Sequence, residues 1–95
     1  MAAYVILDIT VNDPAKYEDY KKLAPPAVEA CGGKYLVRGG SMEILEGDWK
    51  PNRVVILEFQ SIEMAKNWIN SPEYSDARAL RHQTATSHAI VVDGL

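Results

Sequence analysis

Two apolar runs, "YVILDI" at positions 4–9 and "VVILEF" at positions 54–59, dominate the hydrophobic pattern. Each carries one carboxylate, Asp8 or Glu58, in its fifth place. A shift of fifty residues aligns Val5–Ile9 with Val55–Phe59 and Ala15-Lys16 with Ala65-Lys66, which suggests two halves of strand, turn and helix. The β-branched content predicts a first strand over about residues 3–11. "NDPAKYEDY" then opens a helix, with Asn12 or Asp13 as cap and Pro14 at the first helical position. Tyr17, Tyr20, Leu23 or Ala24, Ala27, Val28 and Cys31 form its apolar stripe. Pro25-Pro26 predicts a kink after Ala24, and Gly32-Gly33 a left-handed end.

"KYLVRGGSMEILEG" reads as one bent strand or two short ones, with Gly39-Gly40 at a bulge or tight bend. "GDWKPN" is a turn leading into the strand "RVVILEF". Ser61 caps a helix whose face is Ile62, Ala65, Trp68 and Ile69, and Ser71-Pro72 restarts it, to about His82. "HAIVVDG" supplies the last strand. The order predicts an α+β fold, ferredoxin-like β-α-β-β-α-β with the second helix split and a four-stranded antiparallel sheet. Residues 1–95 are read as one domain. The first and third main strands are expected side by side and parallel at the centre of that sheet.

Alternation puts Val5, Leu7, Ile9, Val55, Leu57 and Phe59 under the helices. The opposite face carries Tyr4, Ile6 and Asp8 beside Val54, Ile56 and Glu58. A solvated face would turn polar, whereas this one stays apolar until its two acids. A homodimer packed sheet against sheet is therefore expected. Parallel neighbours would also bring Asp8 and Glu58 together as a coupled pair of carboxylates. Arg38, Arg53, His88, Tyr4 and Tyr35 are the available partners.

Composition narrows the classes. With 95 residues, 47% of them hydrophobic, the chain has the content of a small globular domain. A net charge of −3 and a pI near 5.3 argue against nonspecific nucleic-acid binding. No run has the length of a membrane-spanning helix, and the N-terminus lacks the basic region of a signal peptide, so a cytoplasmic location is expected. One cysteine excludes an intramolecular disulfide.

The stretches "YKKLAPPAVEACGGKYLVRGG", "LEGDW", "NRVVILEFQSIEMAKNWINSPEY" and "VVDG" resemble the domain-of-unknown-function 1330 family, over almost the whole chain. That family belongs to the dimeric α/β-barrel group of ferredoxin-like proteins. The resemblance implies the barrel fold and a homodimer, and it supplies no function. The wider group includes cofactor-independent monooxygenases, haem-binding enzymes, lactone isomerases and ligand-binding regulatory domains, and kinship at this level is analogy.

Asp8 and Glu58 are the candidate catalytic residues, as general acid–base or polar anchoring groups; the alternative is a structural, arginine-paired role. Arg38 and Arg53 either clamp a carboxylate or phosphate ligand or neutralise those acids. Tyr17 and Tyr20 pack between helix and sheet, with Tyr17 placed to reach a ligand. His88 opens the last strand as a further binding candidate, while His82 reads as a helix-end cation. Cys31 reads as a small buried hydrophobe, and Trp49 as a structural residue on the dimer side. Two histidines without ligand spacing give no metal site, neither Gly-Gly pair has the context of a phosphate loop, and no cofactor is expected. Two readings follow: a small-molecule-binding protein or cofactor-independent enzyme, or a non-catalytic binding or accessory module whose interior is packed.

Overall fold

The computed structural model describes residues 1–95. The alternating run "AYVILDITV" forms β1, Ala3–Val11. Asp13 caps α1, Pro14–Ala30, by accepting from the Lys16 amide at 3.2 Å. β2, Lys34–Arg38, is followed by β3, Arg53–Phe59. Ser61 and Ser71 each cap a short helix, α2 at Ile62–Ile69 and α3 at Pro72–Thr84, so the second helical segment is split as its two cap signals predict. β4, Ala85–Asp93, completes the chain and starts three residues earlier than "HAIVVDG" suggested.

The four strands lie in the order β2-β3-β1-β4, and every neighbouring pair is antiparallel. The expectation of parallel central strands is therefore corrected. The crossover through α1 makes β2 parallel to β1 but leaves a gap between them. β3 returns antiparallel to β2 and fills that gap, so it also runs antiparallel to β1.

All three helices cover one face. Val5, Leu7, Ile9, Val55, Leu57 and Phe59 are buried there against Tyr17, Tyr20, Ala24, Val28, Trp68 and Tyr74. This is the face predicted from alternation. Gly33 closes the end of that core: a Cβ there would come within 2.6 Å of the Phe59 ring. Gly32, at φ +82°, supplies the left-handed turn out of α1.

Two local expectations fail. Pro25 and Pro26 do not interrupt α1, which is continuous through both. Pro25 lacks the amide that would bond the Lys21 carbonyl, but the Arg38 guanidinium donates to that carbonyl at 2.8 Å. The freed acceptor is satisfied from the neighbouring strand, which removes one cost of the interior proline. The segment after β2 contains no strand: the bulge falls between Tyr35 and Val37, and residues 39–52 form a long irregular loop. Glycine at position 39 suits its φ of +70°, and the end of the Arg53 side chain occupies the space a Cβ would take.

Candidate functional site

On the helix-covered face, odd-numbered β3 residues point inward, and Arg53 is the first of them, opposite Ile9. Arg38 is opposite Val55 in the same layer. From α1, Tyr17, Tyr20, Lys21 and Ala24 come down onto this corner of the sheet. With Tyr35 and Val55 they enclose a seam between α1 and the β2–β3 edge. The centre of the Arg53 guanidinium lies 5.7 Å from the Tyr17 ring centroid, and that of Arg38 lies 5.1 Å from Tyr35. Both are cation–π contacts.

The charge of this seam is not balanced. The structure's two ion pairs are Lys21–Glu18 at 2.8 Å and Lys34–Glu58 at 3.9 Å. Neither Arg38 nor Arg53 has a carboxylate partner, and the Arg53 Nε is buried without a hydrogen-bond acceptor. Burial pushes the Tyr17 hydroxyl above its ordinary pKa, against the opposing pull of Arg53. Burial raises the pKa of Tyr35 to about 12 and also raises that of Tyr20. All three phenols are therefore neutral donors at physiological pH. The void among these groups is only about 10 Å³, because the bond from Arg38 to the Lys21 carbonyl spans the gap between sheet and helix.

Behind the seam lies a network the sequence reading did not single out. The Tyr20 and Tyr74 hydroxyls are 2.7 Å apart, the Arg81 Nε donates to the Tyr74 oxygen at 3.2 Å, and the Arg81 Nη1 donates to the Ser87 hydroxyl. Arg81 is only 3% exposed. Its signal was present: Tyr74, Ala77, Arg81 and Thr84 form one stripe of α3, and an arginine within a buried stripe requires internal acceptors.

The other predicted residues lie on the open face, where Asp8 and His88 are neighbours and Glu58 stands apart. Antiparallel register sets Glu58 opposite Tyr4 and Asp8 opposite Val54, so the expected carboxylate pair is not formed. The two acids are four positions out of step, ~13 Å along the strands at ~3.3 Å per residue. Glu58 faces Lys34 beside an open groove that Gly32 and Gln60 also line, and Asp8 is not part of that groove. Asp8 instead accepts from the Trp49 indole at 3.0 Å, so the loop folds back over its own sheet. His88 is the cross-strand neighbour of Asp8 on β4 and is exposed. His82 is exposed at the end of α3, where desolvation and the charges of Arg81 and Arg78 lower its pKa. The Cys31 thiol donates to the Ser71 hydroxyl at 3.5 Å. No group of three or more His, Cys, Asp or Glu is arranged to hold a metal ion, and no helix is long and apolar enough to cross a membrane.

The helix-backed four-stranded antiparallel sheet places the protein among ferredoxin-like α+β proteins. The chain belongs to the family described as a domain of unknown function (DUF1330), whose profile matches residues 2–95. It is similar to RPA0582, a protein of unknown function from Rhodopseudomonas palustris, with 22% identity and a TM-score of 0.76 over 99% of this chain and 82% of that one. SnoaB, a cofactor-independent oxygenase from Streptomyces nogalater, shares the fold at 14% identity and a TM-score of 0.64, over 99% of this chain and 92% of its own. A candidate antibiotic biosynthesis monooxygenase from Nitrosomonas europaea does so at 16% identity and a TM-score of 0.61, over 99% and 90%. At these identities the likeness is one of fold. No curated protein matches the chain.

Proposed function

We propose that the protein binds a small organic anion in the seam between α1 and the β2–β3 edge, and that it does so as a homodimer. The observation that carries the ligand reading is the convergence of Arg38 and Arg53 on one seam with no carboxylate to neutralise either. Arg53 is partly buried with its Nε unsatisfied, which is costly without an anion, Arg38 is exposed beside it, and the planar fork of each matches a carboxylate or phosphate. Tyr17, Tyr35, Ala24 and Val55 provide the apolar walls. Binding requires Arg38 to leave the Lys21 carbonyl and turn to the ligand, which opens the seam. Asp8 and Glu58 lie on the other face and are not part of this site.

The fold shared with SnoaB, a cofactor-independent oxygenase, is an analogy for a small-molecule role. The dimer reading rests on the open face, where Ile6, Ile56 and Val54 adjoin Ile90 and Val92, which are 62% and 45% exposed. A second copy of the sheet would cover that patch without touching the seam.

The closed void of about 10 Å³ favours the competing reading, a non-catalytic module with a packed interior. Calorimetric titration with benzoate, acetate and inorganic phosphate, against uncharged benzamide, separates the two. The ligand reading expects binding of at least one anion, no binding of benzamide, and a loss of affinity of about tenfold or more in Arg53→Met. Absence of binding by every anion supports the packed module.

A further inference from the structure

The buried network behind the seam has a direction. A guanidinium carries only donors, so the Arg81 Nε must give its hydrogen to the Tyr74 oxygen. That charge-assisted bond withdraws electron density from Tyr74 and makes its hydroxyl the stronger donor of the Tyr20–Tyr74 pair. The chain of bonds therefore runs from Arg81 through Tyr74 to the Tyr20 oxygen. The Tyr20 hydrogen is left at its end, and Tyr20 makes no other hydrogen bond. Tyr20 lines the seam with Arg38 and Arg53, whereas Tyr74 stands wholly behind it. A phenol oriented by a buried cation, with its hydrogen unused, is a prepared donor for something that is not part of the protein.

We propose that the ligand of this seam is an anion bearing a second hydrogen-bond acceptor in addition to its charged group, such as an oxo-acid or a heteroaromatic carboxylate, and that the Tyr20 hydroxyl donates to that acceptor while Arg38 and Arg53 hold the charge. The inference rests on the anion-binding reading and names the ligand class within it. Tyr74 and Arg81 act through Tyr20 as positioning residues.

The test uses pairs of probes that differ only in the second acceptor: propionate against pyruvate, and benzoate against the three isomeric pyridinecarboxylates. Titration calorimetry on the intact protein should show at least one acceptor-bearing probe binding about three- to tenfold more tightly than its partner, as expected for one added hydrogen bond. In Tyr20→Phe that ratio should collapse to one. Tyr74→Phe, which removes the orienting bond without altering the seam wall, should reduce the ratio, and circular dichroism checks that each variant is folded. Equal affinities within every pair, or a ratio unchanged in Tyr20→Phe, overturn the Tyr20 assignment and leave anion binding standing. Failure of all these carboxylates to bind overturns the assignment, and failure of inorganic phosphate as well overturns the anion site itself.

Discussion

Asp8 and Glu58 occupy adjacent strands but face different neighbours, Val54 for Asp8 and Tyr4 for Glu58. Two carboxylates in contact would share a proton and titrate as one unit, whereas these two are separated by four strand positions. Their substitutions should therefore act independently. In a urea-denaturation cycle of Asp8→Asn, Glu58→Gln and the double variant, the stability changes should add to within ~0.5 kcal/mol. A coupling energy above ~1 kcal/mol would show that the acids interact.

Arg38 and Pro25 form a second testable pair, joined through the carbonyl of Lys21. Arg38→Met should leave that carbonyl without its donor and cost about 1 kcal/mol. Alanine at position 25 restores the missing amide to the same carbonyl, provided the helix keeps its course. In a Pro25→Ala background the Arg38→Met cost should fall toward zero. A cost that is unchanged there would mean that Arg38 stabilises the fold through its contact with Tyr35 instead.

These two relationships mark where sequence reasoning reached its limit. Strand faces and helix caps were legible because they follow from alternation and local chemistry, and Val5, Leu57, Ser61 and Ser71 all stand where those rules place them. Strand direction is a property of the whole chain path. The acids' apparent equivalence in two similar runs concealed the reversal that separates them. Pro25 looked like a helix break because its compensation comes from Arg38, thirteen residues further on and in another element. Tyr17 was recognisable on the apolar stripe of its helix, whereas Arg38 and Arg53 were read as partners of the open-face acids, and the meeting of all three in one seam required the fold. Arg81 was passed over because a residue near a helix C-terminus has a ready surface explanation.

The buried phenols predict a loss of stability in alkali. Tyr17, Tyr20 and Tyr35 all have pKa values raised by burial, Tyr35 to about 12, whereas unfolded tyrosines ionise near ~10. Above that point the unfolded state has released protons that the folded state retains, so the stability contributed by these groups is complete below pH ~10 and declines as pH rises. The slope approaches ~1.4 kcal/mol per pH unit for each such tyrosine. The unfolding midpoint in urea should therefore stay level to about pH 10 and then fall. Phenolate absorbance from these three residues should appear with unfolding rather than before it. Full ionisation in a still-folded protein near pH 10 would show that the seam admits solvent freely.

The open face makes the oligomeric prediction. Trp49, held by Asp8 and 62% exposed, lies on the surface that the proposed second copy would cover, whereas Trp68 is already buried. Sedimentation should give twice the 10.6 kDa of one chain, and dilution through the dissociation range should shift the emission of Trp49 to the red as it meets water. Ile56→Lys places a charge at the centre of the patch and leaves the helix-side core intact, since Ile56 points away from it. Burying that ammonium between two sheets costs on the order of several kcal/mol, enough to weaken association by about two orders of magnitude or more. The variant should be a folded monomer by circular dichroism and sedimentation, with red-shifted emission at every concentration. A wild-type protein that sediments as a monomer at micromolar concentration would refute the homodimer, and a dimer unaffected by Ile56→Lys would place its interface elsewhere.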